Sequence, residues 1–128
     1  MSRILRICMT GPKLLILGTL VASLALVGGT VAQAVELTVT STADAVDARP
    51  GDGVCATKTG TCTLRAAVQE ANALVGPDAI VLQSGVYKLT IEGLNEDAAA
   101  TGDLDITDAL TIKGMGAPDT RIDANKLD

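Results

Sequence analysis

Histidine, tryptophan and phenylalanine are absent from this 128-residue sequence, and Tyr87 is its one aromatic side chain. Without histidine the commonest general base and the commonest zinc ligand are missing, and a serine-histidine triad is excluded from the segment. Without large rings the core has to be aliphatic and thin. The sequence also lacks an apolar run of membrane-spanning length. Its longest, Leu14 to Val27, falls short of the ~20 residues a crossing helix needs and is interrupted by Gly28-Gly29. Cysteine is scarce too, with only Cys8, Cys55 and Cys62.

What that apolar run does fit is an export leader. Arg3, Arg6 and Lys13 give a positive front, the run follows, and Ala32-Gln33-Ala34 has the small-x-small pattern of a cleavage site. Residues 1–34 therefore read as a signal peptide, with Val35 as the mature amino terminus and no membrane span left after cleavage. Arg3 and Arg6 are not adjacent, so a twin-arginine route is not indicated. Beyond residue 34 the chain holds 7 basic and 15 acidic residues, a net charge of −8. Such a surface repels nucleic acid and anionic membranes, and leaves calcium, basic partners and neutral glycans open.

Two segments follow the leader. The first, 35–78, opens with "VELTVTSTAD", where Val35, Leu37 and Val39 alternate with polar residues as in a half-buried strand. A loop dense in Asp, Pro and Gly comes next. Thr63 then offers an N-cap hydroxyl, and Leu64, Ala67, Val68 and Ala71 recur at helical spacing, with Arg65, Gln69, Glu70 and Asn72 mostly on the other side. Gly76-Pro77 ends this helix of about three turns. The second segment, 79–128, consists of apolar triplets at 80–82, 89–91, 104–106 and 110–112, each read as a very short strand. "LTIEG" at 89–93 recurs as "LTIKG" at 110–114, a spacing of 21 residues. That period favours a β-solenoid over an antiparallel meander. Ending after Arg121-Ile122-Asp123 without a closing cap, the sequence also reads as the amino-terminal part of a longer protein.

Three sets of residues are candidates for chemistry. In an exported protein Cys55 and Cys62 are expected to pair, closing the loop "CATKTGTC". A redox thiol at the start of the helix is the rival, but six residues separate the cysteines and a thioredoxin-like motif has two. Asp44, Asp47 and Asp52, among flexible glycines, have a calcium-binding composition without the helix-loop-helix calcium spacing, so turn residues bonding backbone amides are preferred. Asp103 and Asp105 would share a strand face with Asp108 close by, and a solvated face is preferred to a glycosidase-type pair.

The run "LTVTSTADAVDARPGDGVCATKTGTCTLRAAVQEANALVGPDAIVL" resembles the CSLREAI domain of bacterial exported proteins. The naming motif reads here Cys62-Thr63-Leu64-Arg65-Ala66-Ala67-Val68, with Thr63 in place of Ser, Ala66 of Glu and Val68 of Ile. The likeness extends over about residues 37–125. It implies an amino-terminal module leading into a right-handed parallel β-helix, in large secreted or surface-attached proteins, with Cys55 and Cys62 bridged and Leu64, Arg65, Ala67 and Val68 in the helix. No catalytic residues carry over. The expected fold is therefore mainly β, the start of a parallel β-helix, with Thr63, Leu64, Arg65, Ala67, Val68 and Ala71 forming a helical cap on its first coil. The expected function is a capping, adhesive or glycan-contacting module at the cell surface. Its partners would be further coils of the same protein, glycans or surface proteins. The alternative is the front of a polysaccharide lyase or hydrolase whose catalytic groups lie beyond residue 128.

Overall fold

The computed structural model describes residues 32–126. The leader reading of 1–34 thus lies outside the described residues except at its last three positions. In chain order the elements are β1 (Glu36–Thr38), α1 (Leu64–Ala73), β2 (Asp78–Val81), β3 (Gly85–Lys88), β4 (Leu110–Lys113) and β5 (Thr120–Asp123).

The alternation around β1 places Leu37 and Val39 inside and Glu36 and Thr38 outside. β2 repeats this with Ile80 and Leu82 buried, and α1 lies against it. With Leu64, Ala67, Val68, Ala71 and Tyr87 these residues form one small, mostly aliphatic core. Tyr87 is buried and donates its hydroxyl to the Gln83 carbonyl at 3.0 Å, which satisfies the polar end of the only ring.

The strands lie in two open parallel sheets, β1-β2-β4 and β3-β5. Parallel pairing rules out the meander, but the expected solenoid is not formed either. Among the described residues there is no closed or solenoid sheet. The paired positions Glu36 with Ala79, Asp78 with Leu110 and Gly85 with Thr120 share no common period, and none matches the 21-residue spacing of the LTI repeat. Of the two copies only 110–113 is a strand. Residues 89–91 are not, because the amides of Thr90 and Ile91 donate to the Asp44 carboxylate at 2.6 and 2.9 Å, so those two amides serve a side chain and no ladder. The triplet at 104–106 is also not a strand, which removes the shared face expected for Asp103 and Asp105.

Candidate functional site

The helix begins as its sequence requires. The Thr63 hydroxyl accepts the Ala66 N–H at 3.1 Å and donates to the Ala45 carbonyl, so one cap ties α1 to the preceding loop. Leu64, Ala67, Val68 and Ala71 face the core as expected. The polar side differs from the expectation. Arg65, Gln69 and Glu70 are buried as well, because loops from before and after the helix wrap over them and present backbone groups that need partners.

Arg65 is the centre of this arrangement. Its Nε meets Asp44 Oδ1 at 2.6 Å and its Nη2 meets Oδ2 at 3.2 Å, with the two side chains 0% and 1% exposed. The remaining guanidinium donors reach the carbonyls of Ala99 (3.0 Å), Gly102 (2.7 Å) and Asp103 (3.3 Å). Arg65 thus pairs with an aspartate and does not point outward. A bidentate fork with three further acceptors is a geometry that arginine meets and lysine does not.

Three more helix residues act in the same way. Gln69 accepts the Asp47 N–H at 2.8 Å and donates to the Ala98 carbonyl at 3.3 Å. Glu70 accepts the N–H groups of Gly51 and Gly53 at 2.6 and 2.5 Å, one on each carboxylate oxygen. Both glycines have positive φ, +94° and +83°, the left-handed region that favours glycine. Asn72 donates to the Asp105 carbonyl at 2.7 Å and accepts the Thr107 N–H at 3.0 Å. The loop before the helix is also closed covalently. Cys55 and Cys62 form a disulfide with their Cα atoms 5.1 Å apart, which contributes roughly 2 to 3 kcal/mol through loop entropy.

The three aspartates considered for calcium are each occupied separately. Asp44 holds Arg65 and two amides. Asp47 accepts the N–H groups of Arg49 and Ala56 at 2.7 and 3.0 Å, and Asp52 accepts that of Val54 at 2.9 Å. Among the described residues no three His, Cys, Asp or Glu side chains gather as a metal-binding group. Asp108 likewise accepts the adjacent Ala109 N–H at 2.7 Å. Also among the described residues, no helix is long and apolar enough to cross a membrane.

Burial pushes the Asp44 carboxyl up, but the Arg65 hydrogen bond and the Thr90 and Ile91 amides outweigh it and hold the group below its ordinary range. A carboxylate depressed in the folded state adds stability above its unfolded pKa, and that stability is lost as pH falls through the folded value. The advantage of the wild type over Asp44→Asn in urea unfolding is therefore expected to be constant above about pH 5 and to shrink below about pH 4. Asp105 moves in the opposite direction, raised first by desolvation and then by the charges of Asp103, Asp97 and Glu96. The comparison with Asp44→Asn isolates the Asp44 contribution from it.

No family model, curated protein or solved structure matches the chain.

Proposed function

We propose that the chain is an exported structural and interaction module that works by contact with other protein at the cell surface. The observation carrying this reading is how its groups are used. The disulfide, Arg65, Glu70, Gln69 and Asn72 are committed to bracing the loops, while Ile112, Met115 and Ile122 on the β4 and β5 side stay exposed. Exposed aliphatic side chains suit protein contact. The only aromatic, Tyr87, is buried and offers no stacking platform for a sugar, so adhesion is favoured over glycan contact. The disulfide agrees with an oxidising compartment, and the ordered loop, second cysteine and helix of the CSLREAI resemblance agree with a surface protein. The module is expected to act without a cofactor, with a melting temperature insensitive to chelator.

The test is to express the full chain with its own leader and alkylate it without reduction. The expected product has lost residues 1–34, takes up no label at Cys55 or Cys62, and is retained on cells. Labelling of both thiols would overturn the exported state. The exposed pair Ile112→Asp with Ile122→Asp is expected to release the protein to the medium at unchanged melting temperature. Retention equal to wild type would remove the contact role.

A further inference from the structure

The Val35 N–H donates to Asp78 Oδ1 at 2.9 Å. Asp78, the first residue of β2, is only 3% exposed, and its other oxygen, Oδ2, is buried without a hydrogen-bond partner among the described residues. A buried carboxylate oxygen left without a donor is costly and needs a reason. The nitrogen facing this carboxylate is the one that cleavage after Ala34 would convert into an amino terminus. We infer that the α-ammonium of Val35, once freed, is the ionic partner of Asp78, so that removal of the leader locks β1 onto β2. The inference rests on the export reading above and adds a consequence of cleavage within the fold.

The chemistry is hydrolysis of the Ala34-Val35 amide by the exporting cell's signal peptidase. One water is consumed, Ala34 leaves as a carboxylate, and the Val35 nitrogen becomes a primary amine that is protonated at neutral pH. The uncleaved nitrogen has one N–H, already given to Oδ1. The cleaved one has three and a positive charge, so Oδ2 can be served by the same group and the hydrogen bond becomes an ion pair. The new terminus is held in place beforehand. The Val35 carbonyl accepts the Ala79 N–H at 2.8 Å, and the Val35 side chain packs partly buried against the core. Other charges nearby are engaged elsewhere. Glu36 is exposed and pairs with Lys113 at 3.3 Å on β4, while Asp108 accepts the Ala109 N–H, and the Asp78 N–H goes to the Ala109 carbonyl.

The full chain would be exported with its own leader in three forms: wild type, Asp78→Asn, and a variant with one serine inserted between Ala34 and Val35. The inserted form keeps Asp78 but displaces the ammonium by one residue. Each amino terminus is read by mass spectrometry, and melting is followed from pH 6 to 10.5. An amine that gains a carboxylate has its folded pKa raised above the ordinary value of about 8, so its contribution is complete below that value and lost as pH rises through the folded one. Wild type is expected to melt about 5 °C or more above the inserted form at pH 7 and to lose that margin in alkali. Asp78→Asn is expected to show no such alkaline loss. If the wild type begins at Val35 and all three forms melt alike with parallel pH courses, the inference is overturned while the export reading stands. A wild-type terminus at another cleavage position overturns the inference alone, and a chain that keeps its leader overturns both.

Discussion

Replacing Arg65 with Met is expected to lower unfolding stability by about 3 to 5 kcal/mol, measured by urea denaturation of the oxidised protein. The side chain is wholly buried and serves five acceptors, namely both Asp44 oxygens and the carbonyls of Ala99, Gly102 and Asp103. Its removal leaves a desolvated carboxylate without a counter-ion and three carbonyls without a donor. For a domain whose total stability is on the order of 5 to 14 kcal/mol, that loss is a large share. Arg65→Lys should cost nearly as much, since one ammonium cannot fork onto a carboxylate and also span three carbonyls. The discriminating variant is Arg65→Met combined with Asp44→Asn. The amide oxygen of Asn can still accept from Thr90 and Ile91, and the buried charge is gone, so the pair should be more stable than Arg65→Met alone. A single variant within 1 kcal/mol of wild type would show that the buried pair does not hold the two loops.

The helix was legible because its signals are local. A threonine cap, aliphatic residues at helical spacing and a glycine-proline stop need nothing distant, and α1 lies where they place it. The first strand and the triplets at 80–82 and 110–112 were legible on the same ground. Hydrophobic periodicity, however, sorts residues only into apolar and polar. It placed Arg65, Gln69 and Glu70 on the side away from the core without showing that they are buried, because it has no term for a polar side chain whose partners are backbone groups of loops distant in sequence. The same limit explains the LTI repeat. Residues 89–91 and 110–112 are identical in sequence, yet the first triplet gives two amides to Asp44 and the second joins a ladder. What decides between them lies 46 residues upstream of Thr90, so no local pattern could reveal it. Glu70 carried one available signal. A carboxylate in the last turn of a helix opposes the macrodipole, and a residue that is unfavourable for its own helix serves something else.

That something is the loop through Gly51 and Gly53, and Glu70→Gln is expected to cost about 2 to 4 kcal/mol despite its near-identical shape. A carboxylate can accept two N–H groups, one on each oxygen, as it does here. The amide of Gln offers a single oxygen, so one glycine N–H would face an NH2 group, and two donors meeting repel. Hydrogen bonds to a charged acceptor contribute about 1.5 to 3 kcal/mol each, so losing one and neutralising the other gives the stated range. The loss should be local. Hydrogen exchange at Gly51 and Gly53 is expected to accelerate while the amides of β2 remain protected. The disulfide holds the same loop a few residues on, at Cys55, so the two ties should be coupled. With Cys55 and Cys62 reduced, Glu70→Gln should cost more than in the oxidised protein, because the loop then keeps only its ties to Gln69 and Thr63, through Asp47 and Ala45, on the amino-terminal side of the glycine turn. A double-mutant cycle between Glu70→Gln and reduction measures that coupling. An interaction energy of zero would mean that helix and disulfide restrain the loop independently.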